Sequence, residues 1–250
     1  MAAKPAFLRR KMLRLADGLR ERFGRPRRKR RGDLLDALIQ TLLSQSTTDH
    51  NRDIAFTRLK ERFRDWDAVA GAREAEIAEA VRPAGLGNQK AARIRAFLVW
   101  LRKERGAASL EFLHDTSTGE AVEMLTRHKG IGVKTAYVTL MIASGRDVFP
   151  VDVHIHRICR RLGLIGEKVT PEKAHGALAP LVPPGRAHEL HMNLLAFGRT
   201  VCTARPPQCG ECACRRMCPY GKSQKGDSSR KAAKPAASSG RPARRAAKRG

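Results

Sequence analysis

His128-Lys129-Gly130-Ile131-Gly132-Val133-Lys134-Thr135-Ala136 is the stretch on which the reading of this chain turns. An apolar run ends at Leu125, two glycines make a tight turn, and a second apolar run extends from Val133 through Met141, a pattern of helix, hairpin and helix. Glycines let backbone approach a ligand closely, and the next helix opens with unpaired N–H groups and the positive end of its dipole. Such a turn suits an anion. Lys134 stands just past it, as either a phosphate contact or a nucleophile, and residues elsewhere in the chain must choose between the two.

Working outward, 250 residues with 42% hydrophobic composition suffice for one large or two small domains with a true core. The 50 Lys+Arg against 24 Asp+Glu give a formal charge of +26, more than solubility needs, which points to a polyanion, nucleic acid first. The charge is uneven. Residues 1–31 carry 13 basic and 2 acidic groups, residues 222–250 carry 10 and 1, and the body between keeps only +6 of the total. The run Gly24-Arg25-Pro26-Arg27-Arg28-Lys29-Arg30-Arg31-Gly32 reads equally as a solvated linker or as a segment that tracks phosphates. No apolar run approaches the roughly 18 residues of a membrane span, and the N-terminus lacks a secretory apolar region. The expectation is a cytoplasmic protein, nucleoid-associated in a bacterium, with no membrane partner.

The remaining segments read as helices. Phe7, Leu8, Met12, Leu15, Leu19 and Phe23 recur at helical intervals between arginines, and Asp33 can cap a helix bearing Leu34, Leu35, Leu38, Ile39, Leu42 and Leu43. The polar cluster Ser44-Gln45-Ser46-Thr47-Thr48-Asp49 is locally explained as capping for the next helix. A second glycine-bracketed turn, Gly85-Leu86-Gly87-Asn88-Gln89-Lys90-Ala91, leads into a helix with Ile94, Phe97, Leu98 and Leu101; in the plain structural reading Leu86 packs back on that helix. Ser117-Thr118-Gly119-Glu120 has the form of a capping box, Asp152 stands at the start of a helix with Ile155, Ile158 and Leu162, and Thr170-Pro171-Glu172 opens another. No segment alternates like a strand, so the predicted class is all-α.

Four of the six cysteines fall as Cys202-x6-Cys209-x2-Cys212-x5-Cys218. In an intracellular chain such a cluster reads as a metal site rather than as disulfides, and four thiolates suit either zinc or an iron–sulfur cluster. Cys214 is only one residue from Cys212, which is awkward for two ligands of one metal. Cys159, between Ile158 and Arg160, reads as a small buried apolar residue.

Taken together, these motifs resemble endonuclease III, a family of the helix-hairpin-helix superfamily of DNA glycosylases. The resemblance covers residues 33–220 and rests on Leu42-Leu43-Ser44 through Asp49, Gly85 through Ala91, Gly130 through Ala136, and Val151-Asp152-Val153-His154-Ile155, in the family's order. It implies two helical lobes with DNA in the cleft between them, a helix-hairpin-helix motif and a C-terminal iron–sulfur cluster loop. A six-helix barrel carrying the hairpin would span residues 33–147, and a helical cluster domain residues 1–32 plus 148–221. Residues 222–250, outside the match and rich in Ala, Lys, Arg, Pro, Ser and Gly, are expected to form a disordered basic tail.

By the same resemblance, the cysteine spacing is the family's [4Fe–4S] pattern, with Cys202, Cys209, Cys212 and Cys218 as ligands. Lys134 matches the nucleophilic lysine that attacks the sugar C1′, and Asp152 matches the essential aspartate. The hairpin residues Gly130, Ile131, Gly132, Val133 and Thr135, with His154, would lie on DNA, and Leu86 with Gln45 or Ser46 would enter the duplex. The implied partner of this expected monomer is double-stranded DNA containing damaged or abasic sites, and the implied activity is removal of oxidised pyrimidines such as thymine glycol, followed by nicking.

Departures from the family pattern are His128-Lys129 in place of Leu-Pro, Ser46 aligned with the family glutamine and Gln45 one place earlier, Val153 in place of threonine, and His156 in place of an aromatic residue. They touch neither Lys134 nor Asp152, so they bear on substrate range. Two alternatives stand beside this reading: a DNA-binding iron–sulfur protein without catalysis, and a mismatch adenine glycosylase, a branch that lacks a lysine at the position of Lys134.

Overall fold

The computed structural model describes residues 5–28 and 32–224, and the predicted basic tail falls outside them from residue 225 onward. Among the described residues there is no strand. The helices are α1 (Pro5–Phe23), α2 (Leu34–Leu43), α3 (Asp49–Arg62), α4 (Trp66–Gly71), α5 (Glu74–Val81), α6 (Gly87–Arg105), α7 (Thr118–Thr126), α8 (Val133–Thr139), α9 (Val153–Arg161), α10 (Pro171–Leu178), α11 (Ala187–Thr200) and α12 (Pro219–Ser223), joined by short 3₁₀ turns. No helix among the described residues is long and apolar enough to cross a membrane.

Helix starts follow the capping chemistry that the sequence displays. Asp33 accepts from the N–H of Asp36 at 2.7 Å, Thr48 from Asn51 at 3.2 Å, and Ser117 and Glu120 form a reciprocal capping box. Thr170 caps α10, with Pro171 in the first helical position. One feature has no sequence signal: α8 continues as a wider π-helical turn over Leu140–Ser144, where Ser144 Oγ donates back to the Leu140 carbonyl at 2.6 Å.

The buried apolar residues form two clusters, and these are the two lobes. In the first, α2 lies centrally with Leu34, Leu38, Ile39 and Leu43, against α3 to α8 up to Ala143. The second begins again at Phe149 and joins Val151, Ile155, Ile158, Leu190, Leu194 and Phe197 to Met12, Leu15 and Leu19 of α1. The N-terminal helix is therefore built into the C-terminal lobe. Its polar face is fastened there too: Arg20 grips Glu189 with two hydrogen bonds of 2.9 and 2.8 Å, and Arg186 bridges Asp17 at 2.6 Å and Glu189 at 2.8 Å. Between the lobes, Arg199 of α11 pairs with Asp49 of α3 at 3.2 Å.

Candidate active site and thiol cavity

The hairpin between α7 and α8 is a rigid part of the first lobe. Gly130 has φ +91°, a conformation that favours glycine, and a Cβ there would lie 2.6 Å from Arg93 Cδ and displace that side chain. Ile131 is only 3% exposed and points into the core, while His128 is enclosed by Trp100, 4.2 Å between ring centroids, and by Phe97 at 4.9 Å, edge to face. Burial lowers the His128 pKa. Thr135 is buried as well. The hairpin can thus present the backbone of Ile131 and Thr135 to a ligand, and not their side chains; Gly132 is exposed and unobstructed.

Lys134 occupies the first turn of α8 and is half-buried. Burial lowers its pKa from the ordinary lysine value, against the pull of the Asp152 and Asp49 carboxylates. Asp152 is the N-cap of α9, with Oδ1 accepting from Ile155 N–H at 2.8 Å. The capping role and the proximity to Lys134 coexist in one side chain. His191 on α11 faces the same two groups and donates from Nδ1 to the Pro150 carbonyl at 3.0 Å; burial pushes its pKa down to about 4.

Two further loops each contain a non-glycine residue in the left-handed region: Ser46 at φ +55° and Leu86 at φ +51°, the only two among the described residues. Leu86 is 58% exposed, so it does not pack back on α6 as the plain reading of its turn expected; with α6 starting at Gly87, its side chain is directed outward. Ser46 is exposed too. Gln45 turns the other way: its Nε2 donates to the Gly130 carbonyl at 3.0 Å and to Thr135 Oγ1 at 3.5 Å, and Arg93 donates to its Oε1 at 3.4 Å. Lys90, 2% exposed, ties the two loops together by donating to the carbonyls of Leu43 at 2.7 Å and Ala84 at 2.8 Å. Sequence reasoning missed this role because a lysine in Asn-Gln-Lys reads as a surface residue.

The other end of α9 meets the cysteines. Arg157 donates to the carbonyls of Gly198 and Cys202 at 3.0 and 2.8 Å, and Arg161 donates to Cys202 Sγ at 3.3 Å and to the Thr203 carbonyl at 2.7 Å. His154 is half-buried beside Arg157 and lies so close to α11 that a Cβ at position 198 would come 2.8 Å from its own Cβ. Cys202, Cys209, Cys212 and Cys218 line one cavity together with Ile158, Leu162, Phe197 and Val201. Cys214 borders it as well, whereas Cys159 is fully buried and its thiol is pushed up to about 12. All six cysteines are free thiols. Four thiols lining one cavity are a donor set that fits a polynuclear iron–sulfur cluster, in which each thiolate binds its own iron, and Gly221 N–H, 3.2 Å from Cys218 Sγ, adds a hydrogen bond of the kind that such sulfurs accept.

Residues 39–184 match the HhH-GPD superfamily of base excision DNA repair proteins. The chain is 31% identical over 195 residues to endonuclease III of Thermotoga maritima, covering 78% of this chain and 87% of that one. The chain belongs to the endonuclease III family. It is also 36% identical over 166 residues to a putative DNA glycosylase of Arabidopsis thaliana, 66% of this chain and 57% of that protein, so it spans little more than half the length of that relative. In fold it is similar to an endonuclease III solved in a non-covalent complex with DNA, with a TM-score of 0.73 at 24% identity over 86% of this chain and 96% of that one.

Proposed function

We propose that this endonuclease III family member is a base-excision repair glycosylase with lyase activity at abasic sites, acting on double-stranded DNA that carries oxidised pyrimidines such as thymine glycol. The observation that carries the proposal is Lys134: its ammonium form is disfavoured by burial at the start of α8, with Asp152 directed at the same place from the other lobe. An amine attacks only when deprotonated, and burial shifts Lys134 toward that state.

The chemistry then takes two steps. Lys134 Nζ bonds to C1′ of an extruded nucleotide as the C1′–N bond to the damaged base breaks, and the base leaves with the electron pair and takes up a proton. The amine now bound to C1′ loses a proton as the C1′–O4′ bond breaks and O4′ takes up a proton, leaving an imine that acidifies C2′; loss of the C2′ proton breaks the C3′–O bond, expels the 3′ phosphate and nicks the strand. Asp152 stabilises the positive charge that develops as the base departs and is placed to move protons. Extrusion precedes both steps because C1′ and the base are inaccessible in the stack. Leu86 and Ser46, exposed and left-handed, are the residues offered to the gap, and Gln45 braces the loop against the hairpin. The hairpin backbone from Gly130 to Val133, with His154, holds the strand.

Cys202, Cys209, Cys212 and Cys218 would hold a [4Fe–4S] cluster, and their four thiolates would then cross-link the 202–218 loop to itself. Arg157 and Arg161 transmit that order to α9, whose first turn carries Asp152. We assign the barrel domain to residues 33–147 and the cluster domain to residues 1–32 plus 148–221. Borohydride trapping on a duplex with one abasic site or one thymine glycol tests the reading. A covalent adduct is expected with the unmodified chain and none with Lys134→Gln; an adduct that survives this substitution, or none with either protein, overturns it.

A further inference from the structure

The chain approaches Asp152 through Phe149-Pro150-Val151, and all three residues are buried. Buried peptide groups need partners, and here one peptide unit takes both of its partners from histidine side chains. The Pro150 carbonyl accepts from His191 Nδ1 of α11 at 3.0 Å, and the Val151 N–H donates to His175 Nε2 of α10 at 3.1 Å. The carbonyl and the N–H belong to the same Pro150–Val151 peptide, gripped from opposite sides by two helices.

The chemistry of the partners fixes the state of His175 and the role of His191 Nδ1. A backbone N–H only donates, so His175 Nε2 must carry a lone pair; carbonyls only accept, so His175 Nδ1, 3.1 Å from the Pro171 carbonyl, must carry the proton. His175 is therefore neutral, as one tautomer. His191 Nδ1 is likewise a donor. Each ring is itself held: His175 meets the Tyr137 ring edge to face at 5.4 Å between centroids, and His191 is 4% exposed.

We infer that His175 and His191 are positioning residues that clamp the Pro150–Val151 peptide and thereby aim the Asp152 carboxylate at Lys134. The inference rests on the proposed lyase reading. Rotation of this peptide plane would swing Asp152 at the mouth of α9 without unfolding either lobe, and it would break the hydrogen bonds to both rings. Protonation of His175 at Nε2 replaces an acceptor with a donor and opens one side of the clamp. The groups that bear on this proton are Glu172, which favours it, and the Tyr137 ring edge; those that face His191 are Asp152, which favours its proton, and Lys134 and His188, which oppose it.

The test measures the single-turnover rate of borohydride trapping on an abasic duplex, with affinity for an uncleavable duplex and the melting temperature taken alongside. Displacement of a reacting group by about 1 Å costs up to about 100-fold, so His175→Leu and His191→Leu are each expected to slow trapping about 10- to 100-fold at unchanged affinity. His175→Gln places an amide oxygen near the former Nε2, and His191→Asn an amide N–H near the former Nδ1; both are expected to recover most of the rate. His175→Gln should also lose the part of the acid-side decline that belongs to His175, while keeping the part that belongs to protonation of Lys134. Trapping at the full rate in the leucine variants overturns the clamp. Should the leucine variants melt early, the polar variants decide: rates as low as those of an unclamped site, or an acid limb identical to that of the unmodified chain, overturn it. Absence of trapping in the unmodified chain would instead overturn the lyase reading.

Discussion

Two turns of this chain place an aliphatic residue between two glycines, yet Ile131 is 3% exposed and Leu86 is 58% exposed. Both turns have a first glycine at positive φ, Gly130 at +91° and Gly85 at +71°, and the difference is whether the aliphatic residue takes left-handed backbone too. In the hairpin Ile131 does not, and its side chain drops into the first core. In the other turn Leu86 itself sits at φ +51°, because α6 must begin at Gly87 close under α5, where a Cβ would come 3.0 Å from the Ala78 carbonyl oxygen. One turn is an anchor that offers only backbone. The other spends conformational energy to hold an apolar side chain in the open, and left-handed backbone costs a non-glycine residue roughly 1–2 kcal/mol. Such a cost at an exposed leucine fits a part that acts on a ligand rather than on the fold.

The comparison breaks most readily at Ile131. Deleting a fully buried Ile side chain to Ala costs about 2–5 kcal/mol, so Ile131→Ala should lower the melting temperature by many degrees and lose activity together with stability. A variant that keeps its melting temperature would show that Ile131 is no anchor. The opposite outcome is expected of Leu86→Gly. Relief of the left-handed strain opposes the greater freedom of glycine in the unfolded chain, which leaves stability within about 1 kcal/mol of the unmodified protein. The glycosylase rate on a thymine glycol duplex should nonetheless fall about 10-fold, since extrusion from a stacked duplex costs a few kcal/mol that a wedge offsets. On single-stranded substrate, where nothing must be unstacked, the deficit should vanish. A loss equal on both substrates would mean that Leu86 does not act on the duplex.

This contrast also marks how far the sequence could be read. Helices with apolar periodicity and side-chain caps, such as α2 and α7, are legible because their signals are local: Asp33, Ser117 and Glu120 lie within three residues of the groups that they satisfy. The hairpin and the thiol spacing are legible for the same reason. What could not be read are contacts made at a distance by residues whose local setting is ordinary. Lys90 reaches Leu43, 47 positions away, and Gln45 reaches Gly130, 85 positions away. His175 and His191 lie in helices with unremarkable patterns, and only the fold brings them to one peptide bond. Gly-Ile-Gly and Gly-Leu-Gly are equivalent as strings; their opposite outcomes depend on what lies beneath each turn, which no local pattern encodes.

The smallest effect concerns titration, since only the anchored turn contains a titratable ring in its packing. His128 stacks on Trp100 and Phe97 beneath the hairpin, and burial lowers its pKa below the ordinary 6.5. A depressed value means that the folded state prefers the neutral ring, so the contribution of His128 to stability is fully present above 6.5 and is lost as pH falls through the folded value. His128→Phe keeps an aromatic ring in the same place and removes the titration. The drop in melting temperature between pH 7 and pH 5 should therefore be slightly smaller in His128→Phe than in the unmodified chain, while Leu86→Gly, which leaves His128 in place, should retain the full drop. If cation–π attraction to Trp100 outweighed the cost of burying the charge, His128→Phe would instead show the larger drop, and the hairpin would be held more firmly in acid than at neutrality.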